Sequence, residues 1–567
     1  MNQSTPAIVA QGAVRRLPRL ALLLLCAAYV LPGFLGRDPW KSADMAAYGY
    51  MAELARGGTD WLSPHLMGLA PDDDSLLPYW LGAWAIQWAP SWMASDLAAR
   101  IPFAFMLMTT LFAIWYASYY LARNPQAQPV AFAFGGEARP PDYARAMADA
   151  SLLAFIACLG LAQLSHETTS ALAQLCFTSL LFFTFAALPY RTLAPALCAV
   201  VGMTGLTLSG APFISALLGS GCILVYLLDR SAESGSARRK IGWAVGIALL
   251  AVMLDLLALW LNLWHWHIEL PEASWTEWRS LGRLLLWFTW PAWPLVLWTL
   301  WRWRHQLIQG AAPSRHLSLP LLFSGLAVAA TFGTAAADRS LLLALPALAA
   351  LAAFALPTLK RSVAALIDWF TLLFFSSCAL VIWIIWIALQ TGVPSQPAAN
   401  VARLAPGFQD SFSLLPFALA LMATLAWAWL VKWRAGRNRA AIWKSLVLPA
   451  GGAALCFLLT MTLWLPALNF ARSYAPLMRQ ISAVTGAADC VKVHGLSRGH
   501  IAALRWHSQL VAEPVATEDA CPWLIVNKEA MTTLPDSVDL ADWSLQSSVH
   551  HPSDRDENLL IYKRIAN

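Results

Sequence analysis

Residues 363–390 read VAALIDWFTLLFFSSCALVIWIIWIALQ, with Asp368 as the single ionisable side chain in the stretch. A run of this length and polarity is what a helix needs to cross the hydrocarbon core of a bilayer, about 20 apolar residues at 1.5 Å each. Lys360 and Arg361 stand directly before it, and the next cation after it is Arg403. The asymmetry marks one end as cytoplasmic, because short cytoplasmic loops collect Lys and Arg.

Working outward, similar runs recur at 18–36, 101–122, 149–165, 168–188, 191–209, 211–228, 242–264, 284–301, 317–336, 340–358, 413–431 and 445–467. With 363–390 they make thirteen expected spans. The short apolar stretch 76–90 is expected to lie along the interface or to enter part-way. The composition agrees: 59% of residues are hydrophobic and 12% charged, against about 25% charged in soluble domains. The 30 Trp suit a chain with many membrane–water boundaries.

Threaded through thirteen spans with the N-terminus inside, the outer loops hold Arg37, Lys41, Arg56, Arg100, Arg279, Arg283, Arg339 and Arg403. The inner segments hold clusters such as Arg15-Arg16-Arg19, Arg238-Arg239-Lys240 and Lys432-Arg434-Arg437-Arg439. The bias predicts a cytoplasmic N-terminus and an outer C-terminus. A secretory signal peptide is the rival reading of the first run, but no small-residue cleavage site follows it. The net charge of +6 is distributed as topology signals, not as a nucleic-acid footprint.

The expected organisation is an all-α polytopic domain over 1–467 and a small outer α/β domain over 468–567. A large first outer loop, with helices beside the membrane, fills 37–100. In the terminal domain Cys490–His494, Trp523–Val526 and Leu559–Tyr562 read as strands, with a helix over Ile501–Leu510. Cys490 and Cys521 lie in this domain, and outside the cytoplasm they can pair as a disulfide; two free thiols is the other reading.

The first loop carries the candidate chemistry. From Asp44 to Ala55 it has helix-forming composition, with Asp44 at the N-terminal end, where a helix favours an ionised carboxylate. A helix N-cap is the plain alternative role for it. Thr59-Asp60-Trp61, Pro64 and Gly68 follow, then Leu77 to Leu81, then Arg100-Ile101-Pro102.

In order and spacing this set resembles the GT-C membrane glycosyltransferases, in particular the branch of the lipid A aminoarabinose transferases and protein O-mannosyltransferases. The resemblance implies transfer of a sugar, with inversion, from a polyprenyl phosphate donor such as undecaprenyl phosphate. The acceptor would be a lipid, glycan or protein at the periplasmic face of a bacterial inner membrane. It casts Asp44 as the residue that binds or deprotonates the acceptor. Glu167, in Ser165-His166-Glu167-Thr168, is cast as a second acid, with a solvated turn as its bland reading.

Several positions depart from the family pattern. Met45 stands where the family has the Glu of an Asp-Glu pair, Ala47 where it has an arginine, and Asp74 where it has a lysine. Leu208-Ser209-Gly210-Ala211-Pro212 stands for Leu-Thr-Lys-Gly-Pro. The lost cations contact phosphate in the family. Their replacements would come from Arg100, Arg339, Lys41 or Arg56, or from a divalent cation on Asp72 and Asp74. Tyr48, Tyr79 and His166 complete the candidate substrate-binding set.

His265, His267 and Glu269 have the i, i+2, i+4 spacing of a strand-borne metal site, although interfacial residues at a span end are the preferred account of them. There is no P-loop or dinucleotide-binding glycine pattern, which fits a donor already activated by its lipid phosphate. A transporter or flippase of lipid-linked substrates, and a non-catalytic envelope protein of the same fold, are the competing classes. The transporter would want mid-membrane charges, of which Asp255 and Asp368 are the clearest.

Overall fold

The computed structural model describes residues 5–229, 236–264, 274–308, 314–334, 337–435, 441–486, 488–515 and 521–565. His265, His267 and Glu269 lie outside them. Each of the thirteen expected runs holds a helix. Six described helices are long and apolar enough to cross a membrane: Ser95–Ala122, Ser170–Ala187, Ala237–Trp260, Arg361–Thr391, Leu414–Arg434 and Lys444–Leu463. Four shorter apolar helices accompany them: Arg19–Phe34, Leu193–Leu208, Pro212–Leu228 and Leu345–Thr358. The pair Trp275–Phe288 and Ala292–Ile308 is bent by 84° at a short break. The chain is a multi-pass membrane protein.

It divides into two compact units. The first comprises Met1–Gly33, Phe103–Leu380 and Ala418–Leu459. At its centre the helix Leu345–Ala355 packs against Pro140–Ala157 and Ala292–Ile308. Its sequence explains why. Ala347, Ala349, Ala350, Ala352 and Ala353 are all buried, and small side chains let helix backbones approach where lipid offers no hydrophobic drive to associate. Leu-rich faces are turned outward instead. Leu373 is 60% and Leu425 61% exposed, as expected of side chains that meet acyl chains.

The second unit comprises Phe34–Pro102, Val381–Phe417 and Thr460–Asn567. It joins the first outer loop to the C-terminal segment. Helix Ala43–Arg56 lies between helix Leu77–Trp88 and helix Arg498–His507. It is buried nearly all round, from Asp44 to Leu54. Gly49 is the reason the terminal domain can come so close: a Cβ there would sit 2.6 Å from the Cβ of Ala502.

The terminal domain carries a five-stranded sheet. Its strands are β1 (Cys490–His494), β2 (Val511–Pro514), β3 (Trp523–Asn527), β4 (Trp543–His551) and β5 (Asp554–Arg564), ordered β2-β1-β3-β5-β4. β1 pairs in parallel with β2 and β3, while β5 runs antiparallel to β3 and β4. Parallel pairing needs a crossover, and helix Arg498–His507 supplies it between β1 and β2. β3 is buried on both faces and correspondingly apolar from Trp523 to Val526, as central strands are. The three expected strands and the helix are present; β2 and β4 are additional.

Candidate functional site

The second unit gathers charges at the start of helix Ala43–Arg56. Ser42 is its N-cap residue and Asp44 lies in its first turn. The Asp44 carboxylate reaches backward to the residues before its helix. Its Oδ2 accepts from the Trp40 amide at 3.1 Å and from Arg37 Nη2 at 2.8 Å. Both members of the ion pair are out of solvent, Arg37 at 1% and Asp44 at 3% exposure. The Arg37 guanidinium also lies over the Trp40 ring, 4.0 Å from its centroid, a stacking that suits a planar cation.

The loop that carries these groups is pinned. Asn469 accepts from the Asp38 amide and Trp40 Nε1 and donates to the Gly36 carbonyl. The Lys41 amide donates to the Arg472 carbonyl at 2.8 Å. A buried, hydrogen-bonded charge pair in a fixed loop is costly to break, about 3–5 kcal/mol when one partner is removed.

Arg100, 3% exposed, lies within electrostatic reach of Asp44, Asp96, Asp38 and Arg37. Its Nη2 is 3.2 Å from Asp96 but makes no well-formed hydrogen bond among the described residues. Tyr48, one turn beyond Asp44, shares a 2.9 Å hydrogen bond with Ser95 Oγ, and burial raises its phenol pKa. His507 belongs to the same cluster. Burial lowers its pKa, opposed by Asp38 and Asp96 and reinforced by Arg479, so a neutral imidazole stands among these carboxylates. Sequence reasoning did not single out Arg37, Asp96 or His507.

The other candidates of this unit are engaged elsewhere. Lys41 Nζ bonds Asp554 at 2.9 Å and Glu557 at 3.0 Å. Arg56 approaches Glu53 at 3.9 Å, and Arg505 binds the same carboxylate at 2.9 Å. Tyr79 is turned to Asp73 by a 3.1 Å hydrogen bond; burial, then the Asp73 charge, pushes its phenol pKa well up. Asp72 pairs with Arg498. Among the described residues no three metal-ligating side chains gather at Asp72 or Asp74. The single such group is Cys490, Glu513 and Cys521, whose two sulfurs are joined as a disulfide.

Glu167 belongs to the first unit. It is 8% exposed in a buried segment rather than a solvated turn. Its carboxylate accepts from Gln163 Nε2 at 3.2 Å and lies 4.0 Å from Arg339. His166 is packed as a core residue. Its ring nitrogens lie 2.7 and 3.1 Å from the Ala162 and Tyr29 carbonyls, its ring stacks on Phe457, and a Cβ on Gly33 would collide with it. Asp368, a mid-span charge, is paired with Arg434.

His500, on the crossover helix, sets a pH dependence. It is 5% exposed, with Nδ1 2.8 Å from Ser497 Oγ and its ring against Tyr474. Burial lowers its pKa to about 4, with Glu557 opposing and Lys41 and His551 reinforcing. An unfolded histidine takes up its proton near pH 6.5, so the folded state loses stability as pH falls from about 6.5 toward 4. The loss is about 1.4 kcal/mol per unit and about 3 kcal/mol in all. The protection factors of Arg498–His507 amides in the full-length protein, which divide out the intrinsic pH dependence of exchange, should fall over that window. In His500→Phe the window should flatten.

No protein-family model matches the chain, and no curated protein sequence does. Its architecture does have counterparts among solved structures. The fold is of the GT-C type. In particular it is similar to ArnT from Cupriavidus metallidurans. With the complex of that protein bound to undecaprenyl phosphate the TM-score is 0.60 at 13% identity, over 97% of this chain and 99% of that one. With its apo state the TM-score is 0.59 at 14% identity, over 96% and 98%. At such identities the likeness is one of fold.

Proposed function

We propose that this chain is an integral membrane glycosyltransferase that moves a sugar from undecaprenyl phosphate, or a related polyprenyl phosphate, to an envelope acceptor at the periplasmic face. It would lie in the bacterial inner membrane, N-terminus cytoplasmic and terminal domain periplasmic. The observation that carries the reading is the buried Arg37–Asp44 pair with Arg100 in electrostatic reach, set at the head of the first-loop helix in a fold similar to that of ArnT.

The chemistry follows from those groups. The acceptor hydroxyl donates a hydrogen bond to Asp44 as its oxygen approaches the anomeric carbon on the side away from the phosphate. The new C–O bond forms, the bond to the phosphate oxygen breaks, and the hydroxyl proton passes to Asp44. The departing polyprenyl phosphate gains negative charge, which Arg100 stabilises in a site sheltered from water. Arg37 fixes the Asp44 carboxylate in direction.

Glu167, beside Arg339 in the first unit, is the second candidate acid of the reading. Lys41, Arg56, Tyr79 and His166 support the architecture instead. Comparative mass spectrometry of lipid A and envelope glycans, from cells with and without the gene, tests the proposal. A sugar substituent that disappears with the gene and returns with the wild-type chain is the expected result. Identical profiles under conditions where the protein is present in the membrane would refute it.

A further inference from the structure

The first unit holds a cavity that the transfer chemistry does not use. It is a groove of about 700 Å³ between helices Arg19–Phe34, Ser95–Ala122 and Pro140–Ala157. Leu22, Val30, Leu111, Phe112 and Leu152 line its length, and Arg16, Arg19 and Arg145 its end. Leu23 and Phe112, at 58% and 59% exposure, open it toward lipid.

The basic end is built, not frayed. The arm that carries Arg16 is anchored by Val130 N–H to the Ala7 carbonyl, Ala138 N–H to the Val9 carbonyl and Trp443 Nε1 to the Arg15 carbonyl. Asp142 lies 3.6 Å from Arg16 and 4.0 Å from Arg145, and Asp149 is held by Trp115 Nε1 at 2.8 Å. Arg19 makes no ion pair among the described residues. Three cations face two carboxylates, which leaves a net positive charge at the mouth of an apolar groove.

We propose that this groove binds an anionic diacyl phospholipid, with its phosphate at Arg16, Arg19 and Arg145 and an acyl chain along the helices. Basic pockets between spanning helices select anionic head groups in this way. A zwitterionic lipid would bring no net charge to them. The polyprenyl carrier is the less suited occupant. Arg19 opens its helix, and Gly33, on which His166 packs, lies about 21 Å further along the axis. The groove's basic end is therefore at the opposite membrane surface from the Glu167 segment. The inference does not depend on the proposed transfer reaction.

Native mass spectrometry of the purified full-length protein, titrated with phosphatidylglycerol or phosphatidylethanolamine, tests it. Phosphatidylglycerol should be retained at least tenfold more tightly. At about fivefold per arginine near the surface, Arg19→Gln with Arg145→Gln should weaken it roughly 25-fold. Ala27→Phe, which fills the groove without altering charge, should weaken it as well. Arg302→Gln with Arg304→Gln, on another helix, should leave it unchanged. Equal retention of the two lipids, an equal loss in the Arg302/Arg304 variant, or retention unaffected by either groove variant overturns the proposal. So does displacement by equimolar undecaprenyl phosphate, which would assign the groove to the carrier.

Discussion

Asp44→Asn should lower sugar transfer by about a thousandfold, while the protein still accumulates in the membrane. The magnitude is that of a positioned general base, which contributes roughly 10²–10⁴. The substitution is nearly isosteric. An asparagine oxygen can still accept from the Trp40 amide and from Arg37, as the carboxylate does at 3.1 and 2.8 Å. What it cannot do is take a proton. A loss in the rate at saturating acceptor, with a normal melting temperature, is therefore the signature of chemistry. Asp44→Asn at wild-type activity would remove Asp44 from the mechanism.

Arg37→Met has the second large effect, and it should act on stability and turnover together. It leaves Asp44, 3% exposed, without its guanidinium, and breaking a buried pair costs about 3–5 kcal/mol. Arg37→Lys restores a charge but not the planar group over Trp40. It should recover most of the stability and only part of the rate. Double-variant measurements separate the two roles. If Arg37 works through Asp44, adding Arg37→Met to Asp44→Asn should cost little further activity, whereas a fully additive loss would assign Arg37 a contact of its own with substrate. Destabilisation below about 1 kcal/mol in Arg37→Met would contradict the buried pair.

These two residues show how far the sequence could be read. The sequence singles out Asp44 as a candidate because its helix, the Asp60-Trp61 segment and Arg100-Ile101-Pro102 follow in a recognisable order. Arg37 is not singled out, because it lies seven positions before Asp44 in a turn outside any periodic pattern. Only the return of the chain through Trp40, pinned by Asn469, brings the two together. Lys41 looked equally suitable as a cation; its attachment to Asp554 and Glu557 depends on partners more than 500 positions away. His166 and Glu167 are neighbours in sequence, yet one is locked among carbonyls and rings and the other faces Arg339.

The apolar runs announced the helices because a bilayer demands length and hydrophobicity of each segment separately. The terminal sheet was harder. β3 reads as a strand because Trp523 to Val526 are all apolar. β2 is four residues long and ends in Pro514, as edge strands do. β4 contains Ser544, Gln546, Ser547, Ser548 and His550, so its largely exposed face leaves little hydrophobic alternation to detect.

The most direct test of the central claim is a structure of the full-length protein with undecaprenyl phosphate bound. The account predicts phosphate density within hydrogen-bond distance of Arg100, on the side of Asp44. Density for the phosphate elsewhere, with Arg100 and the Arg37–Asp44 pair left untouched, would contradict it.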